Sequence, residues 1–361
     1  MVDDVLAGRA TVLPVPMDDA RESSFIATSL GADAEIDDEV AVVVSTSGTT
    51  GTPKGALLTV SALTASASAT HRRLGGSGQW LLALSAHHVA GFQVLVRSVL
   101  AGIAPVAISA SFTAAELVSA IDSMGPGRRY ASLVAAQLNK SLGDPAAAAA
   151  LSSLDAVLIG GGPMPARVAE QASAAGVPVV RTYGMSETAG GCVYDGRPLD
   201  GARMRIDDGR VVLGGATLAK GYRNPVDPDP FAEPGWFRTD DVGSIDDSGV
   251  LTVLGRVDDA ISTGGLTVLP QLVEAAVASH DAVAECVVFG VADERLGQRV
   301  VAAVVVTPGR AAPTLADIRS HVAATLDATA APREIHVVDE IPRRGIGKVD
   351  RRALAARFGG V

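Results

Sequence analysis

The chain has 361 residues, and at roughly 150 residues per domain that length suggests two or three domains. Hydrophobic residues make up 48% and charged residues 19%, enough to bury a sizeable core and too apolar for a disordered chain. Thirty Lys and Arg against forty Asp and Glu leave a formal charge of −10, which argues against nucleic acid or an anionic membrane as the main partner but leaves room for a local basic pocket.

The opening residues carry Asp3 and Asp4 rather than a basic segment followed by an apolar run, so no signal peptide is expected. No apolar stretch approaches the ~20 residues that span a bilayer. Cys192 and Cys286 alone make neither a disulfide framework nor a four-cysteine zinc site. A cytoplasmic α/β protein is the expectation.

The first forty residues read as acidic and irregular. Residues 39–44 then form a short β-branched strand that runs into Ser45-Thr46-Ser47-Gly48-Thr49-Thr50-Gly51-Thr52-Pro53-Lys54-Gly55. Apolar runs at 80–84, 105–108 and 156–159 have the pattern of buried strands in an α/β sheet. Between them, Thr113 and Glu116 predict a capping box at a helix start. Residues 145–150 are alanine-rich and read as helix, and 165–175 form a helix closed by Gly176, followed by a strand at 177–181.

From about Arg203 the hydrophobic period shifts to two. Runs at 203–206 and 210–213 flank Asp207-Asp208-Gly209, a hairpin signal, and 244–245 and 250–254 flank a similar turn. After Arg256 come a helix at 269–279, strands at 285–291 and 300–306, a helix at 315–326 and a strand at 334–338. The predicted architecture is a large N-terminal α/β domain, residues 1–254, with a β-rich subdomain, and a small α+β domain, residues 255–361.

Only four of the thirty basic residues are lysines: Lys54, Lys140, Lys220 and Lys348. In a chain that so favours arginine, each lysine gains weight as a position needing a compact ammonium instead of a guanidinium fork. Survival on a solvated face is the competing explanation.

The loop 45–55 carries the strongest signal. Small hydroxyl and glycine residues let backbone N–H groups approach phosphate oxygens, and Lys54 adds charge. Its spacing departs from G-x-x-x-x-G-K-[ST], which disfavours a P-loop NTPase. The loop resembles instead the phosphate loop of the adenylate-forming superfamily, the group of acyl- and aryl-CoA ligases, luciferases and peptide-synthetase adenylation domains. The resemblance continues in order along nearly the whole chain. Residues 155–163, ending Gly160-Gly161-Gly162-Pro163, resemble the family's strand and glycine turn. Tyr183-Gly184-Met185-Ser186-Glu187-Thr188 matches its Tyr-Gly-x-[Ser/Thr]-Glu-Thr motif. Phe237-Arg238-Thr239-Asp240-Asp241 resembles its Thr-Gly-Asp motif, with Asp240 where Gly is usual. Gly255-Arg256-Val257-Asp258 and Gly264-Gly265 match the hinge and following loop, and residues 342–351 the C-terminal lysine motif.

The resemblance implies ATP, Mg²⁺ and coenzyme A as the small molecules used, and a two-step reaction through an acyl-adenylate. It implies that Thr46, Ser47, Gly48, Thr49, Thr50, Gly51 and Lys54 hold the β- and γ-phosphates. Glu187 would ligate Mg²⁺, Thr188 would bond the α-phosphate, and Tyr183 would stack on adenine beside Gly161, Gly162 and Gly184. Asp241, with Arg256 near it, would hold the ribose. Lys348 would serve adenylation, flanked by Gly345 and Gly347, and Asp258, Gly264 and Gly265 would serve the hinge and the CoA tunnel. Many members of the family are dimers, which allows for a homodimer here. Only 44 residues precede Ser45, fewer than is usual in the family, so a non-catalytic nucleotide-binding member is an alternative.

The acid pocket would involve Gly160, Met185 and His88, within Leu84-Ser85-Ala86-His87-His88-Val89-Ala90-Gly91-Phe92. Arg97 lies nine residues on in an apolar helix, where a charge needs a partner. An internal salt bridge or a snorkelling side chain would supply one. So would a second substrate carboxylate gripped by the guanidinium. The short form and the His-His-x-x-Gly…Leu-Val-Arg-Ser pattern resemble o-succinylbenzoate–CoA ligases of menaquinone synthesis, especially actinobacterial ones. Ligation of another aryl, fatty or dicarboxylic acid is the alternative.

Overall fold

The protein is described by a computed structural model that covers residues 1–46, 52–344 and 348–359, with Arg344 and Lys348 described by backbone alone. Contacts divide it into two units. One comprises Met1–Arg205, Val212–Thr239 and Asp247–Val250; the other Ile206–Val211, Asp240–Asp246 and Leu251–Val361. The strand Trp236–Ile245 thus contributes to both, because Asp241–Ile245 pair antiparallel with Leu251–Arg256.

The larger unit is built on a seven-stranded sheet, in spatial order Val106–Ala107, Gln79–Leu82, Arg129–Val134, Ala156–Gly160, Val179–Met185, Gly190–Tyr194 and Arg197–Pro198. The first five strands are parallel and the last two antiparallel. Alternation along the strands serves two cores. Leu81, Ala131, Leu133, Val157 and Ile159 pack with Leu117, Ile121, Leu138 and Val168 of the helices on one face. Trp80, Tyr130, Ala156 and Leu158 pack on the other face with Ala69 of helix Val60–Arg73 and Val94 of helix Val89–Ala101. A sheet covered on both faces is the expected α/β arrangement. A separate antiparallel pair, Val40–Val44 with Ala56–Thr59, carries the two ends of the 45–55 loop.

Among the elements that went unforeseen, two stand out. The central strand Arg129–Val134 follows Arg128, starts with Arg129 and carries Ser132, so its period is masked. The opening forty residues hold a ten-residue helix, Ala20–Ser29, whose first turn is capped by the Asp19 side chain accepting from the Glu22 N–H. The capping box at Thr113 and Glu116 forms as expected.

In the smaller unit, strands Leu266–Val268, Ile261–Thr263, Gly297–Val306 and Val283–Asp293 lie in that order, and Glu334–Val337 adds in parallel to Gly297–Val306. Helices Pro270–Ala278 and Leu315–Ala323 bury Val273, Val277, Ile318 and Val322 on one face. Helix Arg351–Phe358 packs Leu354 against Phe289, Val301 and Ile341 on the other. Among the described residues, no helix is long and apolar enough to cross a membrane.

Candidate active site

The Tyr183–Thr188 motif begins on strand Val179–Met185 and turns sharply at its end. A Cβ at Gly184 would stand 2.2 Å from the Gly190 carbonyl oxygen, so the returning strand demands glycine there. Glu187 and Thr188 sit in the single 3₁₀ turn Ser186–Thr188, both buried. The Thr188 hydroxyl accepts from the Met185 N–H at 2.9 Å and lies 2.8 Å from the Gly190 carbonyl. Ala189 follows in the left-handed region, φ +49°, a conformation that costs a non-glycine residue free energy. Two bonds offset that cost: its carbonyl accepts from Gln93 Nε2 at 2.9 Å and from Ser66 Oγ at 3.0 Å.

Glu187 has a partner that the sequence did not suggest. Tyr222 donates its phenolic O–H to Glu187 Oε1 at 2.6 Å. The Tyr222 ring lies 5.3 Å from the ammonium of Lys54. Residues 219–224 are fixed on both sides: the Ala219 N–H donates to the Glu187 carbonyl at 2.8 Å, and Arg223 N–H and Asn224 N–H donate to the carbonyls of Gly55 and Lys54. This stretch therefore joins the far end of the 45–55 loop to the Glu187 turn. Ser47, Gly48, Thr49, Thr50 and Gly51 lie outside the described residues. At the near end, the Thr46 hydroxyl is buried and has no hydrogen-bond partner among the described residues.

On the neighbouring strand, Gly160 sits against Thr182, where a Cβ would come within 2.5 Å of the hydroxyl oxygen, and Gly161 turns with φ +80°. His88 is the N-cap residue of helix Val89–Ala101, beside His87 at 4.1 Å between ring centroids.

Arg97, on that helix, is only 4% exposed, which removes the snorkelling alternative. Among the described residues no carboxylate lies within ion-pair reach of it. Its Nε donates to the Gln93 carbonyl at 2.9 Å, Nη2 approaches Ser132 Oγ at 3.5 Å, and the guanidinium stacks 3.8 Å from the Trp80 ring centroid. Nη1 donates to no described residue. Burial pulls the Arg97 pKa down to about 10. Gln93 links the two places, since its carbonyl holds Arg97 and its amide holds Ala189.

In the smaller unit, Asp241 faces Arg256 across two paired strands, with Arg256 Nη1 3.3 Å from Asp241 Oδ1. Strand alternation buries Asp241 and exposes Asp240, which pairs outward with Arg210 at 2.7 Å. Asp258 grips Arg256 through both oxygens, at 2.8 and 2.9 Å. Burial works against the Arg256 charge, but the carboxylates of Asp258, Asp241 and Asp240 outweigh it and raise its pKa. Gly264 and Gly265, φ +58° and +83°, make the two-residue turn of the hairpin Ile261–Val268, a turn that needs positive φ at both positions.

Lys348 pairs by its backbone with Arg344, while Gly345 and Gly347 lie outside the described residues. Three residues on, Arg351 donates to Glu274 at 2.6 Å, to Asp259 at 3.4 Å and to the Val288 carbonyl at 3.1 Å.

The family model for AMP-binding enzymes matches residues 8–223, and the model for the AMP-binding enzyme C-terminal domain matches 272–348. The chain belongs to the AMP-binding enzyme family. It is 68% identical, over 90% of its length and 86% of the relative's, to a probable 2-succinylbenzoate–CoA ligase of Mycobacterium tuberculosis. It is 34% identical to a 2-succinylbenzoate–CoA ligase of a Geobacillus species, covering 88% of this chain and 69% of that one. The o-succinylbenzoate CoA synthetase (MenE) of Bacillus subtilis, solved with its acyl-adenylate intermediate, superposes with a TM-score of 0.74 at 28% identity, over 87% of this chain and 69% of that one. The mixed α/β fold is that of the adenylate-forming enzymes, with ATP and AMP bound in solved members.

Proposed function

We propose that this chain is an ATP-dependent acid–CoA ligase that activates 2-succinylbenzoate, the o-succinylbenzoate of the sequence reading, for menaquinone synthesis. The observation that carries the choice of acid is Arg97: a deeply buried guanidinium without a carboxylate partner among the described residues. A buried charge lacking a counter-ion costs several kcal/mol. A second carboxylate on the substrate would supply the missing charge. The names of the relatives support the same acid.

A carboxylate acylates poorly because its leaving group would be oxide. In the first half-reaction one carboxylate oxygen attacks the α-phosphorus of ATP, and pyrophosphate leaves. In the second, the CoA thiolate attacks the acyl carbon and AMP leaves. Lys54 and residues 46–51 hold the β- and γ-phosphates, Thr188 the α-phosphate, Tyr183 with Gly161, Gly162 and Gly184 the adenine, and Asp241 with Arg256 the ribose. Lys348 stabilises the charge that gathers between carboxylate and phosphate. His88, Gly160 and Met185 line the acid. Asp258 is the hinge between half-reactions, and Gly264 and Gly265 flank the thiol's approach.

Among the described residues no set of three His, Cys, Asp or Glu groups could cage a metal ion. The buried Glu187 carboxylate and the Thr46 hydroxyl, which has no partner among the described residues, fit a cation that takes most of its ligands from ATP phosphates and water, as Mg²⁺ does. Bound there, Mg²⁺ would neutralise phosphate charge. ATP and CoA are intracellular metabolites, which suits a cytoplasmic enzyme.

The test is AMP and CoA-thioester formation from 2-succinylbenzoate, ATP, Mg²⁺ and CoA, beside a panel of aryl, fatty and dicarboxylic acids. The expected result is the highest kcat/KM for 2-succinylbenzoate. A different preferred acid would overturn the substrate, and ATP binding without acid-dependent AMP would overturn the enzyme.

A further inference from the structure

Tyr222 touches both ends of the phosphate site without belonging to any motif of the sequence reading. Its hydroxyl holds Glu187 Oε1 at 2.6 Å, and its ring lies beneath the Lys54 ammonium at 5.3 Å. Its own placement is over-determined. The backbone bridges Ala56, the flanking residues bond Gly55, Lys54 and Leu57, and the ring meets Phe231 edge-on at 5.4 Å, which in turn packs on Phe237.

We infer that Tyr222 is a positioning residue that fixes the Glu187 carboxylate for a nucleotide-bound divalent cation. This rests on the reading of Glu187 as the metal-facing carboxylate. A carboxylate has two oxygens with about four lone-pair directions. The Tyr222 bond occupies one oxygen and sets the plane of the group, leaving Oε2 for the cation. Partners that orient a ligating carboxylate typically change metal affinity by 10–100-fold when removed. The same ring meets the cation of Lys54 through its π face, so one side chain sets the relative placement of the negative and positive groups that flank the phosphates.

The test is calorimetric titration with a non-hydrolysable ATP analogue, once with Mn²⁺ and once with EDTA, on wild type, Glu187→Gln, Tyr222→Phe and the double variant. The metal-dependent gain in nucleotide affinity is the readout, and no turnover is needed. Tyr222→Phe keeps the ring over Phe231 and beneath Lys54, so metal-free binding should stay at the wild-type value. The metal-dependent gain should fall about 10-fold or more, and the double variant should match Glu187→Gln alone. A gain lost in Glu187→Gln but intact in Tyr222→Phe would overturn the positioning role and leave Glu187's role standing. A gain intact in Glu187→Gln would overturn the role of Glu187 itself. Equal loss with and without Mn²⁺ in Tyr222→Phe would make the tyrosine a purely structural contact and would also overturn the inference.

Discussion

Arg351 and Arg97 are both withdrawn from water, on different terms. Arg351 brings acids with it: Glu274 and Asp259 lie within 3.4 Å, and the Val288 carbonyl takes a third donor. Arg97 is buried more completely, yet its partners among the described residues are one carbonyl, a distant hydroxyl and an indole face. The chain has forty acidic residues from which a counter-ion could have been drawn. The arginine that ties helices together is neutralised by the fold, whereas Arg97 has no carboxylate partner among the described residues, which is what the proposed second substrate carboxylate would require.

The comparison breaks most visibly at Arg351. Arg351→Ala strands Glu274, whose carboxyl burial already pushes up and Arg351 pulls back. Removing one partner of a buried pair costs ~3–5 kcal/mol, with the low end apt here because both groups keep some exposure. Thermal unfolding should show a clear fall in Tm. An unchanged Tm would mean that Arg351 is no more committed to the fold than Arg97.

Lys348 sharpens the contrast among the cations. Lys220 is held by Asp37 and Glu39, and Lys140 donates to the Phe112 carbonyl at 2.6 Å, so two of the four lysines serve the fold. Lys348→Ala should slow acyl-adenylate formation ~10²–10³-fold, the usual cost of one preorganised charge, and should slow thioester formation from supplied adenylate far less. Equal slowing of both steps would contradict its role.

His71 gives the smallest effect. Burial, aided by the Arg97 charge, holds its pKa down to about 4, so the folded chain keeps it neutral where an unfolded chain protonates it below ~6.5. The unfolded state binds more protons between those values. Stability from this residue therefore falls as pH drops from about 6.5 to about 4 and is level below that. Denaturant titrations at pH 7 and pH 5 should show a smaller difference for His71→Gln than for wild type, and an identical difference would refute the assignment.

Much of this was legible in the sequence because the motifs are local. The glycine turns, the capping box at Thr113 and the Tyr183–Thr188 run each show their spacing within a few residues. What escaped is long-range or masked. Tyr222 reaches Glu187 across 35 positions, and nothing near Gly221 marks it. Strand Arg129–Val134 hides behind Arg128 just before it and Arg129 at its start, although Tyr130 is fully buried. The resemblance picks Asp241 over Asp240, but only the strand's alternation shows that Asp241 is buried and Asp240 exposed. Arg97 was ambiguous for a physical reason: an apolar helix tells that a charge needs a partner, and only packing tells which partners are missing.

That missing partner allows the most direct measurement. Arg97→Ala and wild type are compared on 2-succinylbenzoate and on an analogue lacking the second carboxylate, with kcat/KM taken for both acids and Tm recorded alongside. A lost charge-assisted contact is worth roughly 1.5–3 kcal/mol. The preference for the dicarboxylate should therefore fall about 10- to 150-fold, while activity on the analogue, the KM for ATP and the Tm stay close to wild type. If both acids lose activity alike and the Tm drops, Arg97 is a structural arginine like Arg351, and the choice of a dicarboxylic acid falls with it.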